Sequence, residues 1–215
     1  MKEMSMTKQK VFDAALTLFN SKGYNGTSVR EIAKQANVNI ALISYYFDGK
    51  KGLLEQLMIY FLEQYIAILS LVFSKKDSMS AKMCLQEIVR NVLIFESENH
   101  QLARLVHREV TVDTILIREI MTTYLTKERY ILQTIIETGI QNKEFKKLPI
   151  MITIAQLKGL MTMPYLQPQY MVEVLHINPV EPYFVTKYFN EIDRWIDEVL
   201  CLQNDRVAIS HRAVN

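Results

Sequence analysis

Apolar residues recur at i, i+3, i+4 and i+7 in block after block of this 215-residue chain. That is the spacing of one buried helix face, and it predicts an all-α protein. A first helix is expected over 7–22, with Thr7 as its cap, Val11, Ala15, Leu18 and Phe19 as its stripe and Lys22-Gly23 as its end. Two short helices follow. Thr27 and Ser28 offer capping oxygens, with Glu31 placed for a capping box. Val29, Ile32, Ala33 and Ala36 form the first short stripe, and Ala33 is small enough for a close crossing. Asn37 falls where the chain must turn through a left-handed conformation. Asn39 then caps the second short helix, which turns Ile43 and Phe47 inward and leaves Ile40, Ala41, Ser44 and Tyr45 outside.

A long helix over 50–73 carries Leu53, Leu57, Phe61 and Ile68 inward and should link the first segment to the rest. After a polar break at 75–80, helices are expected over 81–98, 101–110 and 115–139, the last closed by Gly139. Pro149 suits the start of a helix running to 163, where Pro164 should stop it. A short turn at 169–175 and a final helix over 183–202 complete the pattern. Residues 204–215 are polar, lack a stripe and are expected to fray. The domain reading is therefore a head at 1–52, a helical body at 53–203 and a flexible tail at 204–215.

Composition narrows the picture. Hydrophobic residues make up 49% with only 6 Gly and 5 Pro, which fits a globular chain. The net charge of +2 is uninformative as a total, but it is unevenly spread. Residues 1–60 hold 8 Lys/Arg against 5 Asp/Glu, whereas 61–215 hold 17 against 18. The excess positive charge sits on the predicted head. Neither a signal peptide nor an apolar block near the ~20 residues of a membrane span is read from the sequence. Cys84 and Cys201, each among apolar neighbours, are expected as reduced thiols, which fits the cytoplasm.

The head carries the most specific chemistry. Residues 26–54, GTSVREIAKQANVNIALISYYFDGKKGLL, read as a helix-turn-helix followed at once by a helix with lysines in its first turn. A short helix held this way is what a major groove accepts. At these residues, and over roughly 7–55, the chain resembles the TetR family of DNA-binding regulators. The matching elements are Thr27, Ile32-Ala33, the turn at Asn37, Ser44-Tyr45-Tyr46-Phe47 and Lys50/Lys51. It departs from the usual pattern in having Asn37 for glycine, Ser44 for tyrosine and Leu42 for threonine. Within that family the remaining chain is similar to a narrower group, the RefZ-type regulators of FtsZ in spore-forming Bacillus relatives. That similarity lies in HREVTVD (107–113), LIREIMTTYL (116–125), MPYLQPQY (163–170) and EPYF (181–184). The resemblance implies a nucleoid-associated homodimer on palindromic double-stranded DNA. It also implies inhibition of FtsZ-based division near its chromosomal sites and a role in chromosome positioning during sporulation. The alternative is a conventional repressor released by a small ligand.

Residue by residue, Asn39 and Ser44 can hydrogen-bond base edges, and Ile40 and Ala41 can touch thymine methyls. Arg30 offers a basic contact from the preceding helix. Thr27, Ser28, Tyr45, Tyr46, Lys50 and Lys51 are expected on phosphates. Arg104 and Arg108, spaced i, i+4, and nearby Arg118 are expected either to balance surface charge or, since the resemblance implies a protein partner, to dock it. The wide apolar face of the last helix, from Phe184 to Leu200, and the uncharged face of 149–163 are expected to form a dimer seam, as in TetR relatives. Met151, Met161, Met163, Tyr165 and Tyr170 can line a ligand cavity, though such residues are more often ordinary core; a small-molecule effector is allowed by the resemblance but marked by no charged constellation. His100, His107, His176 and His211 have no metal spacing, no nucleophile signature or phosphate loop exists, and Glu96, Glu98, Asp193 and Asp197 read as solvated helix faces. No cofactor is implied, and an enzyme is not expected.

Overall fold

A computed structural model describes residues 5–112 and 114–202. Among the described residues there are nine α-helices: α1 Met6–Lys22, α2 Val29–Ala36, α3 Ala41–Phe47, α4 Gly49–Phe73, α5 Ala81–Glu98, α6 His100–Glu109, α7 Ile115–Gln141, α8 Ile150–Leu166 and α9 Pro182–Trp195. A π-helical turn, Ile196–Leu200, extends α9, and another, Tyr170–Val174, lies between α8 and α9. The expected tail at 204–215, His211 included, lies outside the described residues.

Helix α4 links the head to the body. It packs against α3 at its start and against α5, α6 and α7 further along. Leu53, Leu57 and Leu69 are fully buried, and Phe61 nearly so. Each such side chain stabilises by roughly 1.5–3 kcal/mol through burial. By length and composition α4 is apolar enough to cross a membrane, a feature missed by a reading confined to the short block at its end. Its ten buried residues belong to the common core of head and body instead. The segment after α9 is pinned to the α7–α8 loop by an antiparallel bridge between Phe145 and Cys201, with Lys146 N–H on Leu200 O at 2.8 Å.

Four expectations are corrected. Ser5, not Thr7, caps α1, its hydroxyl accepting from Lys8 N–H at 3.3 Å. Gly139 does not end α7, which runs two residues further. A Cβ there would lie 2.2 Å from the Phe145 ring and 2.9 Å from Ala81, so the glycine serves close packing. Pro164 does not stop α8. A proline leaves the carbonyl four residues back without its helical donor; here that carbonyl, Leu160 O, accepts from the Tyr188 hydroxyl at 2.7 Å. Because α9 supplies the missing donor, α8 continues to Leu166. Finally, Glu96 is not a solvated face. It is wholly buried on α5, with both carboxylate oxygens 3.1 Å from His107 Nε2 on α6.

A second buried carboxylate was not anticipated at all. Glu128 on α7 accepts from the Tyr65 hydroxyl at 2.5 Å and from Lys158 Nζ at 2.7 and 2.9 Å, joining α4, α7 and α8. Burial foremost, with Glu128 alongside, pushes the Tyr65 phenol well above its ordinary range, so it remains a donor. A cavity of only about 30 Å³ lies beside these groups, between His107 and Lys158. The methionine and tyrosine cluster does not converge on it: Met161 and Tyr165 are core, while Met151 and Tyr170 are exposed.

Candidate nucleic-acid interface

The geometry of the head begins with caps. Ser28 accepts from Glu31 N–H at 3.2 Å while Glu31 accepts from Ser28 N–H at 2.8 Å, a complete capping box. Lys22 pairs with Glu31 at 2.6 Å and so ties the end of α1 to α2. These bonds, led by the Lys22 one, hold the Glu31 carboxyl down to about 2. Asn37 turns the chain at φ 53°, ψ 51°, the left-handed conformation that Asn tolerates better than most residues. The Val38 N–H then reaches back to Ala33 O at 3.0 Å.

This turn delivers α3. Ile40, not Asn39, directly precedes α3 and makes no side-chain cap; Asn39 Oδ1 accepts from Ala41 N–H at 2.9 Å, bracing the turn into the helix. With its oxygen used locally, the amide nitrogen of Asn39 is what remains for a base. Ile43 and Phe47 are only 0% and 1% exposed, which fixes the rotation of the helix. Ile40, Ala41, Ser44 and Tyr45 consequently face outward, with Tyr45 79% exposed. Tyr46 is half-buried and meets Tyr45 edge-on at 4.9 Å.

A second turn, not foreseen from the sequence, sets α4 beside α3. Asp48 and Gly49 both take positive φ, 55° and 84°. Gly52 then lies so close to the end of α3 that a Cβ would stand 1.9 Å from Phe47 O. This is a reason for glycine at 52 that periodicity does not reveal. Asp48 makes no side-chain cap on α4. Lys51 is exposed in the first turn of that helix.

Three residues expected on phosphates serve the scaffold instead. Thr27 is 2% exposed, and its hydroxyl bonds Gly23 O at 2.8 Å and Leu18 O at 3.2 Å. The Ser28 hydroxyl gives its proton to Glu31 Oε2 at 2.8 Å and has none left for a phosphate. Lys50 spends its ammonium on Tyr24 O and Thr27 O, at 3.0 and 2.9 Å, and lies over the Tyr24 ring at 4.2 Å. Sequence reasoning also overlooked Lys8. From α1 its Nζ lies 5.7 Å from the Tyr46 ring and 5.6 Å from that of Phe47, adding a cation beside α3. Its signal was a lysine one turn inside a capped helix start.

The outward face of α3 thus combines Asn39, Ile40, Ala41, Ser44 and Tyr45, and Arg30 on α2 and Lys51 on α4 are exposed. The face offers apolar and hydrogen-bonding groups together, the kinds of group that major-groove readers use. Residues 11–57 match the family model described as "Bacterial regulatory proteins, tetR family". The chain is 52% identical over 193 residues to the probable HTH-type transcriptional regulator YttP of Bacillus subtilis (strain 168), covering 90% of this chain and 93% of that one. The chain belongs to the TetR family of bacterial regulatory proteins. Over 49 residues it is also 49% identical to IcaR, the HTH-type negative transcriptional regulator of the biofilm operon icaADBC in Staphylococcus aureus (strain Newman), 23% of this chain and 26% of that one. The TetR-type fold extends through the body. A tetR-family regulatory protein from Rhodococcus RHA1 superposes with a TM-score of 0.75 at 17% identity, covering 93% of this chain and 100% of that one.

The three arginines of the body are placed less uniformly than their spacing implied. Arg108 donates to Phe19 O at 3.0 Å and pairs with Glu109 at 3.1 Å, so it ties α6 to the head. Asn20 makes a parallel tie, its amide on Gln101 O at 2.8 Å. Arg104 is half-buried at the same joint, and Arg118 is exposed on α7.

Proposed function

We propose that this chain is a sequence-specific, non-catalytic DNA-binding homodimer of RefZ type, acting in the cytoplasm on FtsZ-based division near its chromosomal sites. The observation carrying the DNA reading is the outward face of α3, locked in rotation by buried Ile43 and Phe47. Arg30, Asn39, Ile40, Ala41, Ser44, Tyr45 and Lys51 are its contacts, with Tyr46 at the edge. A dimer seam is supported by α8, which leaves Ile152, Ala155, Gln156 and Gly159 exposed on one uncharged face. The division reading rests on the four body segments that resemble RefZ-type regulators. Of the arginines assigned to a partner, Arg118 stands exposed and is kept; Arg108 is committed to the head–body joint.

Arg118→Glu should leave operator affinity within about twofold, since exposed charge changes cost little stability. It should abolish cell elongation on overexpression, because a reversed rim charge repels a complementary partner. Unchanged elongation with intact DNA binding refutes this face. A ligand-released repressor is the second reading, favoured by a large cavity at the head–body joint described below. Mapping bound sites across the genome separates the two: sites scattered away from promoters support the first, and a single site beside its own gene supports the second.

A further inference from the structure

The head–body joint bears an open cavity of about 470 Å³, the one that favours the ligand-released reading. Head helix α1 contributes Thr17, Asn20 and Ser21, α6 contributes His100, Gln101 and Arg104, and the segment after α8 closes it. Its position is distinct from the small void beside Glu128 in the body. The volume falls within the range of small-molecule sites, roughly 300–1,000 Å³.

The lining carries one cation, the half-buried Arg104, and one carboxylate, the exposed Glu173, and the two do not pair. Arg104 forms no ion pair with any described residue; its guanidinium nitrogens meet only the neutral Gln169 side-chain carbonyl, at 3.1 and 2.6 Å. Burial, and then the neighbouring Arg108, press its pKa below the ordinary value. A cation under both pressures gains from an anion at its side. A guanidinium presents five donors in a planar fork, and a carboxylate matches that fork better than one amide oxygen does. Asn20, also in the lining, has its Oδ1 buried with no partner, an acceptor open to a donor and no part of the anion site. Across the cavity Pro168, Val172, Pro179 and Val180 supply an apolar wall.

We propose that this joint is a binding site for a small organic acid, its carboxylate on Arg104 and its apolar body against Val172 and the two prolines. The inference holds under either reading of function, because it concerns the protein without DNA. Its ligand would span α1 and α6, the two helices already tied by Asn20 and Arg108.

The test uses the full chain with hexanoate and benzoate as probes, and hexanol and benzyl alcohol as uncharged controls. Thermal midpoints report binding, and the side-chain amide resonances of Asn20 and Gln169 report its place. At least one acid should raise the midpoint and move those two resonances, while its alcohol does neither. Arg104→Gln should weaken acid binding at least about tenfold, as loss of a charge-assisted pair does. Val172→Trp, which fills the cavity and keeps the cation, should abolish it. The proposal is overturned if neither acid binds at about 10 mM, if acid and alcohol act alike, or if the resonances that move lie elsewhere. It is equally overturned if a folded Arg104→Gln or Val172→Trp protein binds the acid as the parent does.

Discussion

Lys50 and Lys51 are neighbours in one motif, yet their substitution to alanine should have opposite consequences. Lys51 is exposed in the first turn of α4. A cation that neutralises one phosphate contributes about 0.9 to the slope of log affinity against log salt. A dimer carries two copies, so Lys51→Ala should flatten that slope by about 1.8, on random duplexes as well as on an operator. Lys50, in contrast, donates to Tyr24 O and Thr27 O and covers the Tyr24 ring. Bonds from a charged donor are worth about 1.5–3 kcal/mol when well shielded. Lys50 is only half-buried, so water recovers part of that, and Lys50→Ala should destabilise the chain by about 1–3 kcal/mol. Its salt slope should stay near that of the parent. Fluorescence anisotropy of a labelled random duplex across a salt series gives the slopes, and urea unfolding gives the stabilities. The reasoning fails if Lys50→Ala flattens the slope as much as Lys51→Ala, or if Lys51→Ala leaves it unchanged.

Two further outcomes follow from other parts of the fold. Tyr188→Phe should cost about 1–2 kcal/mol by leaving Leu160 O without a donor, and adding Pro164→Ala should recover part of it by restoring the helical N–H; a double variant less stable than Tyr188→Phe alone refutes this account of the proline. Glu31 has its folded pKa lowered to about 2 from an ordinary 4.5, so its contribution is present above about 4.5 and is lost as pH falls toward about 2. Glu31→Gln should accordingly lower the urea midpoint at neutral pH and match the parent near pH 2, and a gap that persists unchanged across that range contradicts the capping role.

Most helices could be read from the chain because their stripes were regular. Val11, Ala15, Leu18 and Phe19 in α1, and Leu85, Ile88, Val89 and Val92 in α5, fall where periodicity puts them. The left-handed turn at Asn37 was equally legible, since few residues tolerate it. What escaped depends on partners distant in sequence. Nothing local reveals that Tyr188 will satisfy the carbonyl that Pro164 strands, or that Phe145 will fill the space over Gly139. Glu96 did carry a signal: it sits four residues after Val92 on the buried face of α5. A carboxylate in an apolar stripe implies a buried partner, and His107 is that partner. At the proposed interface the sequence did not separate scaffold residues from exposed ones. Thr27, Ser28 and Lys50 bond within the head, whereas Lys51 and the outward side of α3 are exposed, as the proposed DNA contacts require. Sequence spacing cannot distinguish a lysine bonded to carbonyls from its exposed neighbour.

The central claim is that paired α3 helices read a two-fold operator. Selection of bound duplexes from a random-sequence pool by the purified protein tests it most directly. A two-fold protein places equivalent reading heads on successive major grooves, about 34–36 Å apart or a multiple of it. The account predicts an enriched inverted repeat with that spacing, lost when Ser44 and Asn39 are both replaced by alanine. Enrichment of a single unpaired half-site, or of no sequence at all, would contradict it.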